Sequence, residues 1–468
     1  MITNQDAKEQ VDGPDDPLLV KGSPTKGFFV YTLTKDIQLD RAIADLVDNS
    51  VDGAKRLRDS PQDTPAPTDD SRRYGGLYVD ITVNDKEFLI KDNCGGVPLE
   101  VARKYAFKFG RDEDFIETAN SVGQFGVGMK RALLKIGAKF TVQTHNSSDK
   151  FSIDVDVNAW LSQESWDFRI ASLEVDPDPD VERGTSIHAT HLNKSVSETF
   201  SQAYFVDTIL RNRIKTAQQH FIRNGLRITL NGVTVVSDAW QLRTSSGISA
   251  HYEKYEEDMS SGTPIRVRIY AGLGESTHAR AGWYIFCNGR CVLESDQSNT
   301  TGWGEVSGSE GVSIPRYHGQ FSRFRGFAFL DCAKAEKLPW NSTKTDLDLE
   351  SPLYRNLRTK LVTAMRPIVT FLNALDSEKD YEPNDQILTK AILTSHASPL
   401  STLPEKVSFS FLPASTVMKG PLLVNISYKK PKQEVDELAR KLGKLSARDA
   451  GISSFDFAYQ RLITEDDL

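Results

Sequence analysis

The chain has 468 residues, 39% of them apolar and 26% charged, with a formal net charge of −7. That length exceeds what one hydrophobic core serves, so two large domains and an appendage are expected. The acidic balance excludes a uniformly basic nucleic-acid coat, and no apolar run nears the roughly 20 residues of a membrane span.

In chain order, residues 1–26 read as a flexible arm, of which Met1–Pro17 is polar and acidic with no apolar core, neither a signal peptide nor an anchor. Gly27–Tyr31 reads as a short strand or strap. Ile37–Leu57 then has apolar residues at helical spacing: Leu39, Ile43, Leu46, Val47 and Val51. Arg56–Gly75, with Pro61, Pro65 and Pro67, is a surface loop. Leu77–Val83 and Glu87–Lys91 are strands joined at Asn84-Asp85, and a helix is expected over Leu99–Phe109. Gly110–Gly123 is polar, as a movable lid should be, and a helix begins near Lys130. Strands at Phe140–His145, Phe151–Val157 and Ser186–His191 complete a sheet, so the first domain spans 27–200.

A second, α+β domain over 201–375 has a basic helix at Phe205–Asn224 and a hairpin around Asn231-Gly232. Its further strands lie at Ile265–Ala271, Gly282–Phe286, Arg290–Leu293 and Phe324–Leu330, and Tyr354–Leu375 is its closing helix. Residues 376–405, charged and then rich in Ser, Thr and Pro, read as a linker. A small C-terminal α/β unit over 406–468 would hold strands at Val407–Phe411 and Leu422–Ser427 and a helix at Glu434–Leu442. The four cysteines, Cys94, Cys287, Cys291 and Cys332, lack the paired spacing of a zinc site and read as buried thiols in a cytoplasmic protein.

Three segments carry chemistry. In Asp45-Leu46-Val47-Asp48-Asn49, Asp45 and Asn49 share a helix face. An amide oxygen at Asn49 suits Mg²⁺, and a carboxylate one turn earlier could serve as general base on the water attacking a γ-phosphate. In Asp92-Asn93-Cys94-Gly95-Gly96, a buried Asp92 could accept the adenine amine while Gly95 and Gly96 admit the base closely. In Gly123-Gln124-Phe125-Gly126-Val127-Gly128, mobile backbone amides ahead of a helix N-terminus could wrap phosphates, with Lys130 and Arg131 adding positive charge. Taken alone, the first segment reads as the wet face of an amphipathic helix, the second as an ordinary turn, and the third is evenly balanced against a packing turn. Their order and spacing together point to an ATP site.

These residues resemble the GHKL ATPases, which include gyrase B subunits, heat-shock chaperone ATPases, MutL proteins, histidine kinases and the Microrchidia (MORC) proteins. The resemblance covers roughly Asp36–Leu192 and is closest in Ala44–Asp52 and Gly123–Gly128. It implies a Bergerat-type α/β sandwich followed by a transducer-like domain. It also implies Mg²⁺ binding at Asn49, adenine selection by Asp92, and support of that carboxylate and its water by Thr185 of Gly184-Thr185. Lys344, within Trp340–Asp346, would meet the γ-phosphate. Two positions depart from the family pattern: the usual glutamate base is Asp45, one methylene shorter, and the first glycine of the adenine turn is Cys94.

The expected function is therefore an ATP-gated, nucleotide-dependent homodimer that hydrolyses ATP slowly, nearest to MORC-like or chaperone-like members. By analogy it would work on DNA, on a protein client or in defence against foreign DNA. A basic set at Arg211, Arg213, Lys215 and Arg223, with Lys429, Lys430 and Lys432, could touch phosphates, although a solvated helix face is the favoured account. The alternative is a nucleotide-binding regulatory or scaffold protein without useful hydrolysis. A histidine kinase ranks third, because the ATP domain comes first here.

Overall fold

The computed structural model describes residues 25–59, 73–109, 120–123, 127–257, 262–305, 313–341, 343–383, 385–412, 426, 428–444 and 446–464. Most of the expected arm, most of the proline-bearing loop, lid residues 110–119, the loop residues Gln124, Phe125 and Gly126, and most of the expected strand at 422–427 lie outside them.

The chain divides into two units, one of Met1–Asp376 with Leu388–Ser415, the other of Ser377–Ile387 with Thr416–Leu468. In the first unit the elements run α1 (Lys26–Lys35), α2 (Leu39–Arg58), β1 (Tyr78–Val83), β2 (Glu87–Asp92), α3 (Leu99–Val101), α4 (Gly128–Ile136), β3 (Gly137–His145), β4 (Asp149–Asp156), α5 (Val157–Leu161), β5 (Ile170–Val175) and β6 (Gly184–Leu192). They continue through α6 (Lys194–Phe200), α7 (Arg211–Arg223), β7 (Arg227–Leu230) and β8 (Val233–Thr234).

These strands form one mixed sheet in the order β5-β4-β3-β6-β2-β1-β7-β8. β1 and β2 alternate buried with more exposed positions, so Val79, Ile81, Val83, Phe88 and Ile90 join Ile43, Leu46 and Val47 of α2 in one core. One face of these strands is thus sealed by helices. The sheet runs past residue 200, because β7 pairs parallel with β1 and buries Ile228 and Leu230. Parallel neighbours need a crossover, and α7 leads the chain into β7.

A second sheet takes β9 (Gln241–Thr244), β11 (His251–Glu257), β12 (Ile265–Leu273), β13 (Gly282–Cys287), β14 (Arg290–Asp296), β15 (Phe324–Asp331) and β16 (His396–Pro399), while β10 (Ile248–Ser249) pairs with β17 (Ser410–Phe411). α8 (Pro352–Ser377) buries Leu357, Leu361, Met365 and Ile368, and α9 (Ile387–Thr394) precedes β16.

Three sequence readings give way here. Gly27–Tyr31 is helical: Thr25 caps α1 by accepting from the Phe28 N–H, and Lys26 donates to the carbonyls of Trp160, Gln163 and Ser165. Tertiary anchoring overrides the β preference of an aromatic run. The expected linker 376–405 contains α9 and β16, which pairs with β9. Val407 bridges to Tyr252, so the segment expected to open the C-terminal unit belongs to the second sheet's surroundings. The described part of the other unit is helical, with α10 (Lys432–Lys441) and α11 (Ala447–Tyr459) in contact. No described helix is long and apolar enough to cross a membrane.

Candidate functional site

The site is built around α2, whose residues 42–55 are all buried except Asn49. Its polar residues are therefore not a wet face. Asp48, fully buried, accepts from Gln218 Nε2 at 2.6 Å and Lys344 Nζ at 2.8 Å, and lies 3.2 Å from Arg290 Nε. Burial opposes its charge, yet Arg290 and Lys344 outweigh burial and hold its pKa below the usual carboxylate range. Asp52 accepts the N–H groups of Val122 and Gly123, both at 2.7 Å, and so fixes the first glycine of the loop. Asp45 accepts from Arg131 Nη2 at 2.6 Å and lies 3.9 Å from Lys344 Nζ.

Asp92 ends β2 beside this helix. Its Oδ1 accepts from the N–H groups of Cys94 (2.9 Å) and Thr185 (3.1 Å), and its Oδ2 from the Ser50 hydroxyl (2.6 Å). A carboxylate has about four lone-pair sites, so three donors leave room for one more. Burial pushes the Asp92 pKa up even against these donors. The turn after it is sterically set: Gly96 has φ +69, and a Cβ there would lie 2.2 Å from the His145 carbonyl oxygen. Gly184 brings β6 so close that a Cβ would lie 1.9 Å from the Asp92 carbonyl oxygen. Gly53 seats α2 against the turn, where a Cβ would approach the Cys94 carbonyl oxygen to 2.5 Å.

At the other end, Gly128 opens α4, and the place its Cβ would take lies 3.4 Å from Asp45 Oδ2. Lys130 is turned to structure: its ammonium donates to the carbonyls of Ala106 (2.8 Å) and Lys108 (2.6 Å). Lys344, at φ +52, comes from a loop held by Asn341, whose Oδ1 accepts the Thr345 N–H at 3.0 Å.

A cavity of about 280 Å³ joins these parts. Asp45, Asn49, Asp92, Gly96, Gly123, Val127, Gly128, Lys130, Thr185 and Lys344 all line it. Between Asp92 and the glycines its walls are apolar, with Ile90, Val97, Val142, Phe151 and Ile187. One end thus offers the Asp92 carboxylate beside an apolar slot fit for a flat ring. The other offers Asn49, a helix N-terminus and cations.

Sequence reasoning missed Ser50, Asp52 and the Arg131–Asp45 pair. Ser50 and Asp52 flank the selected Asn49, but only the tertiary approach of β2 and the glycine loop gives them partners.

Residues 37–185 match the family of histidine kinase-, DNA gyrase B- and HSP90-like ATPases. No curated protein matches the chain. The match begins just ahead of α2 and ends at Thr185, the residue whose N–H reaches Asp92. Residues 37–185 are thus an ATPase domain of the GHKL superfamily, a type of domain that binds ATP.

Proposed function

We propose that the chain binds ATP with Mg²⁺ in this cavity, hydrolyses it slowly, and works as an ATP-gated switch that brings two copies together. One observation carries the reading: Asp92, Asn49, Asp45, the two flanking glycines and Lys344, drawn from distant parts of the chain, line a single cavity. Asp92 would take the adenine amine at its remaining acceptor site, with the ring between the apolar walls. The triphosphate would run toward Gly123, Val127, Gly128 and the N-terminus of α4, whose dipole favours anions. Gln124, Phe125 and Gly126 belong to the same loop in this assignment.

Asn49 fits a magnesium site of the kind that relies on one protein oxygen plus phosphates and water. Its Oδ1 lies 3.9 Å from the place a Cβ would take on Gly123. Mg²⁺ bound there supplies charge neutralisation to the phosphates.

Asp45 is the base in this reading, with Arg131 the reason for slow turnover. The Asp45 oxygen that accepts from this guanidinium at 2.6 Å has that lone-pair site occupied and is less free to meet a water. The same pair favours the second reading, nucleotide binding without useful hydrolysis. Lys344 would exchange Asp48 for the γ-phosphate and so report nucleotide state to the second sheet. A role on DNA gains nothing from α7: Arg213 pairs with Asp40, Lys215 with Asp238, and Arg211 and Arg223 donate to backbone carbonyls.

Phosphate release by the wild type and by Asp45→Ala, with ATP binding measured by calorimetry, tests the proposal. Slow release abolished by the substitution upholds the ATPase. Binding without release leaves the regulatory protein. Absence of ATP binding sinks both. Light scattering with and without a nonhydrolysable ATP analogue tests the dimer.

A further inference from the structure

A second cavity, of about 270 Å³, borders Lys344. Its walls are Arg213, Thr216 and Ala217 of α7, Arg290 and Cys291 of β14, and Thr345 of the lysine loop. Lys344 lines this cavity and the first alike, so its side chain stands in the wall they share.

Arg290 is the unusual member. It is only 2% exposed. Its one ionic contact among the described residues is Nε to Asp48 Oδ1 at 3.2 Å, and that Nε makes no hydrogen bond there. No acceptor among the described residues takes a hydrogen bond from its Nη atoms. A buried Nε left without a hydrogen bond is costly, and the group that best satisfies a guanidinium fork is an oxyanion. Asp48 is not among the lining residues.

The charges are graded along the cavity. Arg290 and Lys344 are buried, whereas Glu294, the carboxylate of the lining, is exposed and accepts from the Thr216 hydroxyl at 2.6 Å. Arg213 is paired with Asp40. An anion lodged here therefore meets cations at the inner end and a carboxylate toward solvent. No aromatic side chain among the described residues lines the space to stack a base, which favours a small tetrahedral ion. A volume of about 270 Å³ also leaves room for several waters at roughly 30 Å³ each.

We propose that this cavity binds inorganic phosphate, with Arg290 as the principal ligand, and receives the phosphate produced in the neighbouring pocket. The proposal rests on the ATPase reading. In that reaction a water oxygen bonds to the γ-phosphorus, the bond to the β–γ bridging oxygen breaks with its electron pair left on ADP, and the water's proton passes to Asp45 or the product phosphate. The phosphate is released next to Lys344, and the second cavity lies on that residue's other side.

Equilibrium dialysis of the full chain against radiolabelled inorganic phosphate, with a saturating nonhydrolysable ATP analogue, tests the site. One phosphate per chain is expected with the analogue in place. Arg290→Met should weaken it by at least about tenfold, the range for hydrogen bonds to a charged group. Ala217→Leu, which fills the space without touching a charge, should do the same while leaving analogue affinity unchanged; it also decides the matter where Arg290→Met misfolds. Phosphate that binds only without analogue, that ignores both substitutions, or that fails to bind beside a bound analogue overturns the site. Failure of the analogue itself to bind overturns the ATPase reading instead, and phosphate binding sensitive to Ala217→Leu would still uphold the second cavity.

Discussion

The two ends of the ATP-domain cavity are held by different physics. At the apolar end Asp92 is fixed by three donors, and Gly96 and Gly184 sit where any Cβ would strike backbone. At the cationic end Arg131, Asp45, Lys344, Asp48 and Arg290 form a chain of ion pairs between α2, α4, the lysine loop and β14. Steric fit resists rearrangement, whereas an ion pair can exchange one partner for another of like charge. A pocket built this way would recognise a ligand with rigid parts and respond to it with movable ones.

The comparison breaks most visibly at Gly184. With Ala, a Cβ 1.9 Å from the Asp92 carbonyl oxygen must push β6 from β2, at about 3 kcal/mol, the upper range for overpacking. Loss of ATP binding together with a lowered melting temperature is expected. Unchanged melting would show that the strands yield and that the apolar end is not rigid.

Asp92→Asn should cost about 1.5–3 kcal/mol of ATP affinity, the worth of a hydrogen bond to a charged group. It carries a pH signature as well. Burial raises the Asp92 pKa, and the adenine amine needs the ionised form, so wild-type affinity should fall with decreasing pH before an ordinary aspartate protonates. The stability contribution has the opposite sign, because the folded state then holds the proton more tightly than the unfolded chain and loses that advantage as pH rises through the folded pKa. Calorimetry across pH checks both: the Asn variant should show neither trend from this residue.

How much of this was legible in the sequence divides along the same line. Helical spacing put Asp45 and Asn49 on one face, alternation gave β1 and β2, and Asp92 marked the turn, since all three are local patterns. The family match over 37–185 covers the same stretch. What local pattern does not carry is partnership across the fold. The carboxylates of α2 read as a solvated stripe because Gln218, Arg290, Lys344 and the Val122 N–H lie 70 or more residues away. Lys130 read as a phosphate cation, yet its ammonium serves the Ala106 and Lys108 carbonyls. β16 hid in a stretch rich in Ser, Thr and Pro, where pairing with β9 outweighs composition.

At the charged end, Arg131→Met sharpens the comparison. Among the described residues Asp45 would keep Lys344, 3.9 Å away, as a neighbouring cation. If Arg131 restrains the base, phosphate release should rise about tenfold, well below the 10²–10⁴ of a complete general base. A fall would move Arg131 from restraint of Asp45 to direct service of the phosphates. A melting curve must accompany the assay, since removing one partner of a buried pair costs about 3–5 kcal/mol.

The smallest effect on affinity is expected from Lys344→Met. Its ammonium already has Asp48 at 2.8 Å, so moving to a γ-phosphate exchanges one anion for another and the net gain is small. About 1 kcal/mol, a factor of roughly five, should be lost for ATP and nothing for ADP. In the proposed switch the loss of nucleotide-dependent assembly should be much larger than the loss of affinity, because assembly would depend on the exchange itself rather than on the energy of either pair. Equal losses for ATP and ADP would place Lys344 with the fixed parts of the pocket, and the division between rigid recognition and exchangeable charge would no longer hold.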